Sequence, residues 1–333
     1  MIPAFFLAAA LAGAAAAQPP APTAADYLAH AERSVVRVSI IASDGQSAWI
    51  AATGSGFVIA PGEVVTDYHV VSSAVGRSQE AILVSPPRGE GAHPLTASLT
   101  NAWIAGDVAL LSAPGLAAPP LALTSSPVQE TAVVRALGYP GATCQALSCT
   151  ADEMIAPDEP TATTGEISYV AHRLPNGARL AGLFHTATVS PGSSGGPLID
   201  ACGRVVGINT WAVGPVAGGE GEEKVASGLQ VATAVSNLET FLSGIGVHFV
   251  KDETPCAPAG SVAALAAELR EAQGEIAAQR AALAAEEGQE RRLAALAREI
   301  AIGAALIVAL SLLGAFLTRR ILSRSVGRSR GRG

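Results

Sequence analysis

The sequence predicts a mostly β body, an antiparallel barrel or sandwich, followed by a helical stalk and one transmembrane helix. Three observations carry this. Eleven short runs rich in Val, Ile and Thr follow one another between residues 34 and 235, each bounded by Gly, Pro, Asn or Asp. Residues 261–299 are dense in Ala, Glu, Arg, Gln and Leu, which favour helix. Residues 300–318 carry no charge over 19 positions. As a helix that stretch is roughly 28 Å long, close to the ~30 Å hydrocarbon core of a bilayer.

The chain begins MIPAFFLAAALAGAAAAQPP, an apolar run followed by small residues. This predicts a secretory signal over residues 1–17, cleaved after Ala17, with an uncleaved second anchor as the alternative. It departs from the usual pattern in having no Lys or Arg before the apolar run. Residues 18–26 read as a Pro/Ala linker, and a short helix is expected over Asp26 to Ser34.

The body is expected over residues 27–250. Its runs are separate strands, from SVVRVSII at the start to SGLQVATAV at the end, with a closing helix near Ala234 to Ser243. Residues 251–260, KDETPCAPAG, read as a linker. The stalk follows over 261–299. Val262, Leu269, Ile276 and Leu283 recur every seven residues, but Leu265, Ala272, Gln279 and Glu286 make a poor companion row. Two readings stay open: self-association as a coiled coil, or a solitary solvated helix.

The tail, residues 319–333, holds six arginines and no acid. With the whole chain at −7, the remainder is at −13. An acidic body gives no reason to expect a nucleic-acid partner. Next to an apolar helix, the arginines instead predict contact with membrane lipid and a cytoplasmic tail. The expected location is the cytoplasmic (inner) membrane, spanned once, with the body on the periplasmic side.

Four cysteines fit export. They allow three pairings; in the expected one Cys144 and Cys149 would pinch one loop and Cys202 would join Cys256, with free buried thiols as the alternative. Zinc spacing is absent, so no metal is expected.

The chemistry concentrates in three motifs. PGSSGGPL, residues 191–198, is a glycine-rich turn in which backbone N–H groups can converge on one point. It assigns Ser194 as nucleophile, Gly192 and Ser194 as oxyanion donors, and Ser193 as a spacer. His69, after a strand–turn–strand, is the candidate base. Asp107, just before an apolar strand, is placed to orient its ring. Asp67 is a rival acid, expected instead to make a local turn hydrogen bond. The other histidines, 30, 93, 172, 185 and 248, read as surface or core residues, and Trp49, Trp103 and Trp211 as packing residues. GGEGEEK, residues 218–224, reads as a solvated loop.

TDYHVV, GDVALL and PGSSGGPL in this order, with GSGFVIAPG and GRVVGINT, resemble the trypsin-like serine proteases of the HtrA/Deg type. The resemblance covers about Ala31 to Gly246. It implies a chymotrypsin-like double β-barrel, a His69–Asp107–Ser194 triad, polypeptide substrates and no cofactor. It also places Thr188 at the base of the specificity pocket and Asn209, Thr210, Trp211 and Ala212 on the edge that pairs with substrate backbone. Thr188 is not an acid, so small or medium apolar side chains are expected before the cut bond. Departures from the family pattern are Ser193 where asparagine is common, Val108 after the acid, and a cysteine-bearing insertion over residues 141–160. The alternative function is an idle protease fold that recruits partners at the membrane.

Overall fold

A computed structural model describes residues 21–212 and 228–329, with side chains left aside at 263 and beyond 319. The expected signal peptide, the GGEGEEK loop and the last four residues lie outside the described residues.

The body opens with α1 (Ala24–Glu32). Thr23 caps it in a reciprocal box with Asp26, which satisfies N–H groups that a helix start leaves open. Six strands then form the first barrel: β1 (Val35–Ser43), β2 (Ala48–Ala60), β3 (Glu63–Thr66), β4 (Glu80–Ser85), β5 (Leu95–Trp103) and β6 (Val108–Ser112). They close in the order β1-β2-β3-β6-β5-β4. The short helix α2 (Tyr68–Val71) follows β3.

The second barrel has β7 (Val133–Gly138), β8 (Thr161–Ala171), β9 (Gly182–His185), β10 (Pro197–Ile199), β11 (Val205–Ala212) and β12 (Gln230–Ala234). It closes as β10-β11-β12-β9-β8-β7. Helices α3 (Gly141–Leu147) and α4 (Ala151–Ile155) form the insertion, and α5 (Val235–Gly244) ends the body. Two closed antiparallel barrels are the architecture that the resemblance implied.

Each barrel has its own core, and a third core joins them. Val36, Val38, Ile40, Val58 and Leu111 fill the first barrel; Val134, Ile167, Leu183, Leu198 and Val206 fill the second. Phe57, Ile59 and Leu110 meet Leu123, Leu137, Ile208, Leu238 and Leu242 between them. Strand residues therefore carry apolar side chains on both faces wherever a barrel wall is also an inter-barrel wall. Burying such side chains stabilises by roughly 1.5–3 kcal/mol each relative to exposure.

The structure differs from the sequence reading at three places. The long run 196–213, read as one strand, is two strands. Asp200 breaks it by accepting the N–H groups of Cys202 (2.9 Å) and Arg204 (3.0 Å), which folds residues 200–204 into a turn. The run ending in TDYHVV stops at Thr66 and turns into α2. Residues 251–260, read as a linker, are fastened to the body. Glu253 accepts from the hydroxyls of Thr124, Ser125 and Ser126. Arg204 donates to the carbonyls of Asp252 and Thr254. Cys202 is bonded to Cys256, and Cys144 to Cys149.

The described part of the second unit, from Leu265 onward, lies within α6 (Val262–Ser329). Stalk and apolar segment are one continuous helix. Its apolar stretch reaches a mean hydropathy of 2.6 over 18 residues, and none of that window is buried. It is long and apolar enough to cross a membrane. Leu269, Ile276 and Leu283 are exposed along the stalk.

Candidate active site

The histidine is placed by a strand end. β3 stops at Thr66, Asp67 takes an extended conformation, and α2 begins, so His69 stands in its first turn. The acid reaches it from the β5–β6 connection. Asp107 terminates a 3₁₀ turn at residues 104–106 in the left-handed region (φ 54°), then β6 begins. Aspartate tolerates that conformation better than most residues, though it still costs on the order of 1–3 kcal/mol. What holds it is double attachment. Tyr68 N–H donates to the Asp107 carbonyl (3.1 Å), and His69 N–H donates to Asp107 Oδ1 (2.9 Å). His69 Nδ1 then pairs with Asp107 Oδ2 at 2.7 Å. With a carboxylate on Nδ1 as acceptor, the ring proton sits there and Nε2 is left bare as a base.

Ser194 lies on the loop from Ser190 to Gly196, which the two barrels grip together. Ser193 N–H donates to the Ser190 carbonyl (2.8 Å), and the Ser193 hydroxyl accepts from Ser190 N–H (3.4 Å). Ser193 is therefore more than a spacer: it closes the turn. Gly195 N–H donates to the Asn209 carbonyl (2.8 Å). Across the barrel gap, Ser55 of β2 donates its N–H to the Ser194 carbonyl (2.8 Å) and its hydroxyl to the Gly192 carbonyl (2.6 Å). The same hydroxyl accepts from Tyr139 N–H (2.8 Å). Gly192 has φ 100°, and a Cβ there would come within 2.5 Å of the Tyr139 carbonyl oxygen, so only glycine fits. Among the described residues neither Gly192 N–H nor Ser194 N–H has a protein partner. Two unpaired donors flanking a serine suit a developing oxyanion.

His69 and Ser194 line one cleft of about 360 Å³, with Ala52, Thr53, Val70, Val189, Ser190, Pro191, Gly192 and Asn209 to Ala212. The structure brings these sequence-chosen residues together. No hydrogen bond joins His69 to Ser194 here, and such bonds are often loose before substrate arrives.

Thr188 is a correction. It is exposed and does not line the cleft. Its carbonyl accepts the Thr163 hydroxyl (2.7 Å), which ties it outward onto β8, and Val189, Ser190 and Pro191 line the cleft instead. The expectation of an apolar substrate residue loses its basis with it. Asn209 lines the cleft as expected, but not as a free strand edge. Its N–H donates to the Gly196 carbonyl (2.9 Å) and its carbonyl accepts Gly195 N–H, so its edge is already paired. Trp211 and Ala212 pair only with β12, which leaves the edge of β11 beyond Asn209 open among the described residues.

Asp67 makes no local turn bond through its side chain. It is fully buried, and its Oδ1 accepts the hydroxyl of Thr210 (3.2 Å) from the other barrel. Its Oδ2 lies 3.9 Å from His69 Nδ1 and has no hydrogen-bond partner among the described residues. Burial, and then the charge of Asp107, hold its carboxyl well above the ordinary range. Asp67, His69 and Asp107 gather ligand atoms within 4.8 Å, but His69 Nδ1 is paired with Asp107 Oδ2 and Asp107 Oδ1 accepts the His69 backbone N–H. Asp200, Cys202 and Cys256 also gather, yet the two thiols are bonded together and Arg204 holds Asp200. Ser55 was missed in the sequence because nothing local distinguishes it.

Residues 54–208 match the family model described as "Trypsin-like peptidase domain". "Serine protease Rv3671c" of Mycobacterium tuberculosis is 31% identical over 188 residues, covering 54% of this chain and 41% of that protein. A protein of Pseudomonas fluorescens named "Probable periplasmic serine endoprotease DegP-like" is 32% identical over 159 residues, covering 47% of this chain and 29% of its own. The chain thus spans less than half the length of either relative. The crystal structure of the Rv3671c protease in its active form superposes with a TM-score of 0.49 at 25% identity, covering 71% of this chain and 95% of that one.

Proposed function

We propose that this chain, whose residues 54–208 match the model of a trypsin-like peptidase domain, is a membrane-anchored serine endopeptidase that cuts exported polypeptides. The observation that carries this is the 2.7 Å pair between His69 Nδ1 and Asp107 Oδ2 in a cleft shared with Ser194. Ser194 Oγ attacks the peptide carbonyl as His69 Nε2 takes its proton. Asp107 holds the ring and stabilises the imidazolium. The N–H groups of Gly192 and Ser194 receive the oxyanion. His69 then gives its proton to the leaving amine, and water repeats the sequence on the acyl-enzyme. Substrate backbone adds along the open edge at Trp211 and Ala212.

The apolar helix anchors the body, the signal exports it, and the arginine tail stays cytoplasmic beside anionic lipid. The exposed heptad residues of the stalk support self-association as a coiled coil. A second reading is a catalytically idle scaffold, favoured by the missing His69–Ser194 hydrogen bond. Hydrolysis of an unfolded protein substrate by the full chain in detergent separates them. Activity that falls on the order of 10⁴-fold or more in Ser194→Ala supports the enzyme. Equal hydrolysis by wild type and Ser194→Ala refutes it.

A further inference from the structure

Asp67 has no part in the chemistry above and is a burden on the fold. Its carboxyl is fully buried, faces the charge of Asp107, and has no Lys or Arg to offset either. Burying a carboxyl in such surroundings costs stability near neutral pH. Nor does its partner depend on it. Thr210 Oγ1 also reaches the Ile208 carbonyl on its own strand at 3.0 Å, closer than Asp67 Oδ1 at 3.2 Å. A buried acid that stability does not call for points to a role at the site.

Three segments of the site meet at this side chain. The first is its own. Asp67 stands two residues before His69, and its Oδ2 lies 3.9 Å from His69 Nδ1, the ring atom that Asp107 holds. The second is the turn that carries Ser194. A Cβ on Gly195 would come within 2.8 Å of Asp67 N and overlap Thr66 Oγ1, so the backbone after Ser194 rests on the end of β3. The Gly195 N–H, which donates to the Asn209 carbonyl, also faces the Asp67 carboxyl. The third is the cleft wall, which includes Thr210. Among the described residues, Asp67 is the one member of residues 66–69 that hydrogen-bonds the second barrel.

We propose that Asp67 is a positioning residue: its carboxyl, held by Thr210, fixes how closely the His69 segment of the first barrel stands against the Ser194 turn of the second. The proposal rests on the reading of His69 as base and Ser194 as nucleophile. Ser55 already fastens the Ser194 turn to β2, but β2 carries neither His69 nor Asp107. Asp67 acts where β3 gives way to α2, the segment that carries the base. Transfer of a proton from nucleophile to base is steep in their separation, and a misplacement of about 1 Å can cost on the order of 10²-fold in rate. Asp67 touches no reacting atom in this role. The role needs an acceptor of the right length for the Thr210 hydroxyl, not a charge. Asparagine provides that acceptor and leucine does not.

The test uses the full chain in detergent as wild type, Asp67→Leu, Asp67→Asn, Thr210→Val and the double variant of Asp67→Leu with Thr210→Val. Each is checked for a cooperative melting transition above the assay temperature, and Thr210→Val decides alone where Asp67→Leu does not fold. Two rates are read: fluorophosphonate labelling of Ser194, and kcat on a peptide. Asp67→Leu is expected to slow both at least about tenfold, with KM changed by less than about twofold. Asp67→Asn is expected to restore most of both rates. Thr210→Val is expected to slow them too, and the double variant to be no slower than Asp67→Leu, because the two side chains act through one bond. Wild-type rates in Asp67→Leu or Thr210→Val overturn the proposal. So does an Asp67→Asn as slow as Asp67→Leu, or losses that multiply in the double variant. A wild type labelled at Ser194 that cuts no peptide sinks the endopeptidase reading, while the labelling rates still decide on Asp67. A wild type unlabelled at Ser194 overturns both.

Discussion

Ser55 of the first barrel holds the candidate nucleophile loop of the second. Its hydroxyl bridges Tyr139 N–H and the Gly192 carbonyl, 137 positions away from the latter. Ser55→Ala leaves both groups buried and unpaired, at a cost of about 1–3 kcal/mol. It also frees the Gly192 peptide, whose N–H is the proposed oxyanion donor. Steady-state kinetics on a peptide substrate are expected to show a lower kcat with a smaller change in KM; unchanged kcat would remove Ser55 from the account. Asp67 makes a different prediction. The unfolded chain ionises it near 3.8, while the folded chain keeps it neutral to a higher pH. The stability this residue contributes is therefore full below the unfolded value and is lost as pH rises through the folded one. Asparagine cannot ionise and still accepts from Thr210. Asp67→Asn is thus expected to gain Tm over wild type as pH rises from about 4 to about 8, read by thermal denaturation. His69, Asp107 and Ser194 were open to proposal from the sequence because each sits in a short motif. Ser55 and Asp67 were not, because their defining partners lie 137 and 143 residues away, on the other barrel.

At the scale of elements, strand content was readable and strand ends were less so. The run from Gly196 to Val213 is continuously strand-like in composition, yet a single carboxylate folds residues 200–204 into a turn. That turn also sets Arg204 against Asp200 at 2.6 Å and brings Cys202 to Cys256. Residues 251–260 differ from the linker expected there for a related reason. Their Pro, Asp and Thr residues look like a linker, but Glu253 and Cys256 find partners 128 and 54 residues earlier. The two disulfides differ in expected weight. Closing 54 residues restrains the unfolded chain by about 4 kcal/mol, and closing five by about 2 kcal/mol, in the chain-entropy account. Replacing Cys202 and Cys256 with serine is expected to lower Tm more than replacing Cys144 and Cys149. The reverse order in calorimetry would show that the insertion, not the body's end, is the weaker point.

At the scale of the whole molecule, neither barrel holds the whole of the candidate site. The first supplies His69 and Asp107, the second supplies Ser194 and its turn, and Ser55 and the Asp67–Thr210 bond tie them. The double barrel could be inferred only through the resemblance, since composition alone allowed a sandwich equally well. The apolar helix was legible because length and missing charge are properties of one segment. Whether the stalk pairs was not legible, because one of its two heptad rows is weak. The central claim, that Ser194 is a nucleophile activated by His69 and Asp107, has one direct measurement. The full chain in detergent is treated with a fluorophosphonate and the adduct is located by mass spectrometry of its peptides. The account predicts a covalent phosphonyl group on Ser194, much slower labelling in His69→Ala and Asp107→Asn, and none at that peptide in Ser194→Ala. A wild-type Ser194 that stays unmodified, or labelling that is indifferent to His69, would contradict it.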